Sequence, residues 1–251
     1  MVKNSYLNTV VLDAIDPEDF QTKNPFPWVN PQYFIAPDRY PELLQSVPDL
    51  ARFTAFFNKQ RKHGQASHDR YILDYERGME LAPQWRDFVE ELCSDSYRDF
   101  ICRLLNVSNV CFRFHWHFTP NGGEVSPHCD SKGKIGSQIF YLNTVGDWDW
   151  SWGGETVILD DNGRIASDNA PSFEDFDTVY PAQTQDNRSI LFGRRGNSWH
   201  GVRRINCPDN YYRKVFIVVF EEYRPLRMAF KKVRRLLTGS ALVTEKERLM
   251  Y

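Results

Sequence analysis

The segment NVCFRFHWHFT, at residues 109–119, alternates between apolar and polar side chains. One side of the alternation carries Phe112, Phe114, Trp116 and Phe118, and the other carries Arg113, His115 and His117. A period of two over this length predicts a β-strand with one apolar face and one polar face.

Further strands are predicted downstream. They are the segments GSQIFYLNT, GETVIL, NRSILFG, SWHGVRRI and YYRKVFIVVFEEY. Together they predict a β core of about eight short strands over residues 109–223. The Asn-Gly pair in DDNGR predicts a hairpin that returns the chain as RIA. The acidic stretch SDNAPSFEDFDTVYPAQTQDN that follows is predicted as a surface loop or a lid.

The regions on either side of this core have a helical character. The segments DRYPELLQSV and LAPQWRDFVEELCSDSYRDFICRLLNV carry apolar residues three or four apart, which predicts support helices within residues 1–108. In residues 224–251, the stretch RPLRMAFKKVRRLLTG predicts a basic amphipathic helix. That helix either docks by its apolar stripe or meets an acidic partner or a membrane surface. We therefore expect a single domain over residues 1–251, mainly β with flanking helices.

Composition and charge exclude several classes of protein. The chain has 251 residues, of which 41% are hydrophobic and 25% charged, as in ordinary globular proteins. With 31 basic and 33 acidic residues, no overall positive field favours nucleic acid. No apolar run approaches the roughly 18 residues of a membrane span. The sequence carries no signal for an oligomeric state.

Cysteine usage indicates the compartment. The five cysteines form no Cys-x-x-Cys pair, and their odd number argues against a disulfide framework. The first twenty residues also lack the apolar core of a signal peptide. We expect a cytoplasmic protein.

His128 and Asp130 stand two residues apart in EVSPHCDSKG. In an extended segment their side chains point to the same side, while Cys129 points away. An imidazole and a carboxylate on one side are the beginning of a metal site. Two histidines with one carboxylate mark the non-haem Fe(II) oxygenases, so a second histidine is needed from another strand. His200, at the start of the strand after SILFG, is the natural third ligand.

The ordered motifs PHCD, IFYLNT, GGETVIL, SILFGRRGNSWHGV and YYRKVFIVVF resemble the 2-oxoglutarate- and Fe(II)-dependent oxygenases, in the branch similar to prolyl hydroxylases. The resemblance covers about residues 109–223. It implies a double-stranded β-helix, or jelly-roll, barrel with the metal at its open mouth. It also implies that His128, Asp130 and His200 bind the iron.

The resemblance also implies a basic residue on the last core strand, which holds the far carboxylate of 2-oxoglutarate. Arg213 is expected to be that residue, because the alternation of RKVFIVVF places it at the end of an otherwise apolar face, where a guanidinium needs an anion. The turn INCPDN lengthens its spacing from His200, which leaves Arg203 or Arg204 as alternatives.

Two aromatic positions bear on the same co-substrate. In prolyl-hydroxylase-like proteins the tyrosine of FYLN, here Tyr141, helps to bind that carboxylate; the alternative is a tyrosine of the core. Relatives often carry another tyrosine at the position of Phe118, and phenylalanine cannot donate that hydrogen bond.

Candidate substrate contacts are less defined. Arg194 and Arg195 precede His200 near the expected mouth, where they would meet an anionic group, and Arg203 would border the same opening. Trp152 either walls the entrance or packs beneath a loop.

The expected activity is hydroxylation of an unactivated C–H of a small or carrier-bound metabolite, using Fe(II), 2-oxoglutarate and O2 and releasing succinate and CO2. Related halogenases lack the carboxylate ligand, so Asp130 argues against chlorination. One alternative is a prolyl-type protein hydroxylase. Another, from a different class, is a non-catalytic metal-binding barrel or sensor.

Overall fold

Two antiparallel β-sheets of unequal size form the centre of the protein, in a computed structural model that describes residues 5–59, 65 and 67–223. The α-helices of this part are α1 (Thr9–Asp13), α2 (Pro17–Thr22), α3 (Tyr40–Gln45), α4 (Pro83–Leu92) and α5 (Asp95–Leu105). None of the described helices combines the length and apolarity needed to cross a bilayer. The helix expected within residues 224–251 lies outside the described residues.

From the fourth strand onwards, each sheet receives four of the eight strands. The described strands are β1 (Trp28–Val29), β2 (Thr54–Phe56), β3 (Arg70–Asp74), β4 (Val110–Thr119), β5 (Val125–His128), β6 (Lys134–Tyr141), β7 (Thr156–Asp160), β8 (Thr178–Pro181), β9 (Ser189–Gly193), β10 (His200–Val202) and β11 (Arg213–Glu222). The large sheet has the order β1-β9-β6-β11-β4-β3-β2, and the small sheet has the order β5-β10-β7-β8. Strands β4 to β11 form the expected jelly roll of eight strands, so the predicted fold class is confirmed.

The apolar face of β4 forms the main hydrophobic core with the helices. Trp116 packs edge-on against Trp85 of α4, with ring centroids 5.1 Å apart, and Phe216 of β11 lies 5.0 Å from the same indole. All three side chains are fully buried. Because successive residues of a strand point to opposite faces, the polar side chains of β4 face the space between the two sheets.

A second apolar cluster fills part of that space. Ile139, Ile190 and Val215 of the large sheet belong to the same buried cluster as Ile158 of the small sheet. These contacts hold the sheets together beside the polar residues that the barrel encloses.

Ser94 separates α4 from α5 within the long predicted helical segment. Its side chain accepts a hydrogen bond from the backbone N–H of Tyr97 at 3.3 Å, which is an N-cap interaction. The chain therefore turns at Ser94, and both helices place their apolar stripes on the large sheet.

Strands β1, β2 and β3 were not predicted. They lie within residues 1–108, where support helices were expected, and they occupy the two edges of the large sheet. Strands of two to five residues carry too few positions for a period to show. β1 pairs with β9 and β3 pairs with β4, which lie far away in the sequence, and β2 pairs with β3.

The predicted hairpin after β7 is wrong. Asn162 and Gly163 do form a turn with φ of 51° and 74°. The Asp161 carboxylate then accepts hydrogen bonds from the backbone N–H groups of Gly163 and Ile165, so the segment RIA does not pair with β7. Strand β8, which had been assigned to the acidic loop, takes that place.

Phe216→Ala tests the core between the helices and the large sheet. The substitution leaves a cavity beside Trp85 and Trp116, and we expect the free energy of unfolding to fall by about 3–5 kcal/mol. Chemical denaturation measures the change. Val145→Ala is the control, because Val145 is 74% exposed, and it should shift the value by less than about 0.5 kcal/mol. Equal effects of the two variants would contradict this account of the core.

Candidate metal centre

His128 and His200 lie directly opposite each other on neighbouring strands. His128 is the last residue of β5, His200 is the first residue of β10, and the two are paired in the antiparallel ladder. Paired residues project to the same face, and the two imidazole centroids are 4.4 Å apart. Asp130 follows β5 by two residues, and one ligand atom from each of the three side chains lies within 4.8 Å of the others. The structure thus brings together the three residues predicted from the sequence.

The hydrogen bonds of both imidazoles define their tautomers. Nδ1 of His128 lies 3.1 Å from the carbonyl oxygen of Ser126, and Nδ1 of His200 lies 3.0 Å from that of Ser198. A carbonyl oxygen only accepts, so each Nδ1 carries the proton and donates it. Each Nε2 therefore keeps its lone pair, as a neutral histidine ligand requires.

Asp130 is buried, and its two carboxylate oxygens have different surroundings. Lys134, itself buried, donates from Nζ to Oδ1 at 2.9 Å. Oδ2 has no hydrogen-bond partner among the described residues and lies 3.9 Å from Nε2 of His200. Burial raises the pKa of Asp130, but Lys134 and the imidazoles of His200 and His128 outweigh it and lower the pKa to about 2. The carboxylate is ionised at neutral pH.

The donor set therefore fits a ferrous ion. Two imidazole nitrogens and one carboxylate oxygen, Oδ2 of Asp130, which has no hydrogen-bond partner among the described residues, converge on the same point. Buried polar atoms are rarely left unpaired, because each one costs free energy. Two histidines and one carboxylate are the set that non-haem Fe(II) sites use.

Arg213 lies at the start of β11, and its guanidinium is buried. Nε donates to the carbonyl oxygen of Gly154 at 2.6 Å, and Nη2 donates to Oγ1 of Thr156 at 3.0 Å. Within the described residues no carboxylate forms an ion pair with it. A buried cation without a protein anion is costly, so the position fits one carboxylate of 2-oxoglutarate.

Gly154, in the GGE motif, makes room for this arginine. Its φ is 82°, and a Cβ there would lie 3.1 Å from Cδ of Arg213. A side chain at this position would be strained and would crowd the guanidinium.

Tyr141 is beside Arg213, as the sequence predicted. It is paired with Val215 across β6 and β11, and the guanidinium carbon of Arg213 is 5.5 Å from its ring centroid. Burial raises the pKa of Tyr141 to about 12, although Arg213 and Thr156 act in the opposite direction. The hydroxyl keeps its proton at neutral pH and is able to donate a hydrogen bond.

Arg194 and Arg195 make contacts within the protein. Arg194 donates from Nε to the backbone oxygen of Asp130 at 3.0 Å, so it supports the loop that carries this carboxylate. Arg195 donates from Nη1 to the backbone oxygen of Gln21 at 2.6 Å, on the surface.

Trp152 and Arg203 also have aromatic partners. Trp152 packs edge-on against Trp148 and Tyr211, with centroid distances of 5.3 and 4.9 Å. The guanidinium carbon of Arg203 lies 4.6 Å from the ring centroid of Phe173. The substrate contacts of Arg194, Arg195, Trp152 and Arg203 stay predictions.

Phe118, at the position where the resemblance implies a tyrosine that contacts the co-substrate, does not face the site. Its ring packs against Phe53, 4.5 Å away, on the outer face of the large sheet. His117 and Thr119, on either side of it, point inward. The sequence already indicated that Phe118 and His117 lie on opposite faces, because the alternation of β4 separates them.

Lys134 was also missed. Its contact with Asp130 joins residues four apart across the turn between β5 and β6. The spacing in DSKGK gave no reason to prefer Lys134 over Lys132, because only the tertiary structure shows which lysine is buried.

Residues 113–220 match the model of the 2OG-Fe(II) oxygenase superfamily. No curated protein matches the sequence. Among solved structures, a prolyl-4-hydroxylase from Pseudomonas putida is similar, with a TM-score of 0.59 and 16% identity over 85% of this chain and 100% of that one.

Two further solved structures share the fold. A prolyl hydroxylase from Trichoplax adhaerens, in complex with a peptide of hypoxia inducible factor, has a TM-score of 0.60 and 14% identity over 92% of this chain and 94% of that one. HygX from Streptomyces hygroscopicus, with nickel, 2-oxoglutarate and hygromycin B bound, has a TM-score of 0.54 and 9% identity over 77% of this chain and 82% of that one.

The matched segment contains the strands and loops that carry the His-Asp-His cluster and the buried arginine. Over residues 113–220 the chain is similar to the 2OG-Fe(II) oxygenase superfamily, it shares its fold with prolyl hydroxylases, and its His-Asp-His cluster fits a ferrous ion.

Proposed function

We propose that the protein hydroxylates an unactivated C–H of a small or carrier-bound metabolite. In this proposal His128, Asp130 and His200 bind the iron, and Arg213 and Tyr141 bind 2-oxoglutarate. The observation that carries it is the convergence of two lone-pair nitrogens and one free carboxylate oxygen in the same barrel as a buried arginine without an ion-pair partner among the described residues.

Bound Fe(II) and 2-oxoglutarate supply an oxidation in which O2 gives one oxygen atom to succinate and one to the substrate C–H, with release of CO2. The protein binds and orients the reactants. His128 and His200 present Nε2 because the Ser126 and Ser198 carbonyls hold the Nδ1 protons. Lys134 occupies Oδ1 of Asp130, so that Oδ2 is the oxygen left for the metal.

The co-substrate end of the barrel is arranged for an anion. Arg213 is held in place by Gly154 and Thr156, and Tyr141 keeps its hydroxyl proton. The apolar side chains Ile139, Ile158 and Val215 exclude water from the space between the sheets. In a site with little water, a guanidinium binds a carboxylate more strongly than it would at the surface.

A metabolite substrate is supported by relatives that act in small-molecule chemistry. HygX was solved with the small molecule hygromycin B, and SnoN is an epimerase of nogalamycin biosynthesis. We assign Arg194 a supporting role, because its Nε is engaged by the backbone of Asp130. Arg195, Arg203 and Trp152 remain candidates for the entrance.

A prolyl-type protein hydroxylase is the alternative. It is supported by the similarity to two prolyl hydroxylases, one of them in complex with a peptide. A non-catalytic metal-binding barrel is less favoured, because both the metal ligands and a co-substrate arginine are present.

We also propose a cytoplasmic location. This proposal is supported by the free thiols of the protein, because free cysteines are typical of a reducing compartment. The free cysteines are Cys93, Cys102, Cys111, Cys129 and Cys207.

Anaerobic titration with Fe(II) and 2-oxoglutarate tests the ligand assignment. The wild-type protein should develop a visible charge-transfer band, and His200→Ala should abolish it. Arg213→Ala should raise the Kd of 2-oxoglutarate on the order of 100-fold, because it removes one side of a buried charge pair. Arg77→Ala, exposed in a turn, is the matched arginine control. An unchanged band in His200→Ala would refute the assignment.

Lys134→Met tests the support of Asp130. Without the ammonium group, Oδ1 loses its partner and the carboxylate is free to rotate, so we expect Fe(II) affinity to fall about 10–100-fold. Lys134→Arg should retain most of the affinity because it keeps a cationic donor. Isothermal titration with Fe(II) under anaerobic conditions measures both. Equal affinities for wild type and Lys134→Met would show that Lys134 has no part in metal binding.

Succinate release with substrate panels separates the classes of function. A hydroxylase of metabolites should release succinate faster with members of a small-molecule or carrier-bound panel, together with a product heavier by one oxygen atom. Stimulation by proline-containing peptides alone would favour the protein hydroxylase. Fe(II) binding without any 2-oxoglutarate turnover would favour the non-catalytic barrel.

A further inference from the structure

The inward face of β4 carries polar side chains that the proposed reaction has not yet used. Register places His117 opposite Val215 and His115 opposite Ile217, and Thr119 is paired with Arg213. Val215 is paired in turn with Tyr141 on its other side. His117 therefore lies in the same row of the barrel wall as Tyr141, one strand beyond β11.

His117 is almost fully buried, with 4% of its surface exposed. Its Nε2 atom has no hydrogen-bond partner among the described residues. His115 stacks on it at a centroid distance of 4.5 Å, and His68 meets it edge-on at 5.6 Å. These rings fix the imidazole plane on two sides and leave Nε2 as the polar atom still to be satisfied.

His117 lies two residues from Thr119, which is paired with the co-substrate arginine, Arg213. Burial lowers the pKa of His117 well below its usual value, and the positive charges of its neighbours, Arg213 among them, lower it further. The imidazole is therefore neutral at physiological pH. A neutral imidazole carries one N–H donor and one lone pair, so it is able to donate a hydrogen bond to an anion.

We propose that His117 is a further 2-oxoglutarate-binding residue, whose Nε2 donates a hydrogen bond to a carboxylate oxygen of the bound co-substrate. The inference rests on the proposed function. Phe118, on the outer face of the same strand, packs against Phe53 and does not reach this position. Three groups then hold the co-substrate: Arg213 and Tyr141 on one side and His117 on the other.

The test compares His117→Leu with His117→Gln in the full-length protein. His117→Leu removes the donor, whereas the Gln amide nitrogen lies near the former Nε2 position. At saturating Fe(II) under anaerobic conditions, the charge-transfer band should give a Kd for 2-oxoglutarate that is roughly tenfold or more weaker in His117→Leu. His117→Gln should recover a substantial part of the affinity. Fe(II) affinity without 2-oxoglutarate should be unchanged in both.

Phe118→Tyr is the matched control on the same strand. Its new hydroxyl faces the helices, so the Kd of 2-oxoglutarate should not decrease. Tighter binding in Phe118→Tyr would overturn the inference, and so would wild-type affinity in a folded His117→Leu. If His117→Leu does not fold, His117→Phe takes its place as the variant without a donor: weaker 2-oxoglutarate binding supports the inference and wild-type affinity overturns it.

The outcome is distinguishable from failure of the proposed function. If Arg213→Ala weakens 2-oxoglutarate binding while His117→Leu does not, only the role of His117 is wrong. If neither variant changes the Kd, the co-substrate site itself is misplaced.

Discussion

The antiparallel pairing of β5 with β10 is the constraint on which the metal centre depends. It sets His128 directly opposite His200, and Asp130 then follows within two residues. Gly201 permits the close approach, because a Cβ there would lie 2.8 Å from the carbonyl oxygen of Val125. A shift of one residue in the register of β5 and β10 would turn one imidazole to the other face of the sheet, and the three ligands would no longer converge.

Strand β4 contributes one face to the hydrophobic core and the other face to the space between the sheets. Its outer face packs Trp116 against Trp85 in the main core, and its inner face carries His115 and His117 toward the space between the sheets. The same ladder with β11 positions both faces. The aromatic core therefore fixes the orientation of the polar wall, since neither face is able to move without the other.

The barrel also retains buried charges at a cost in stability. Lys134 and Asp130 form a buried ion pair, and the buried Arg213 donates to the backbone oxygen of Gly154 and the hydroxyl of Thr156. Replacing such groups by apolar residues often stabilises a protein. Their presence is explained by ligands that pair with these charges: a metal ion with the Asp130 carboxylate and an anion with the Arg213 guanidinium.

The sequence by itself determined which side chains share a face. Its period of two grouped His128 with Asp130 and separated His117 from Phe118, and the pattern of strands predicted a β core of about eight strands. Only the tertiary structure decided which face turns inward, that Lys134 meets Asp130, and that three short N-terminal strands extend the large sheet. The physical reason is that periodicity depends on neighbouring residues alone, whereas the partner of each face is set by how distant segments pack together.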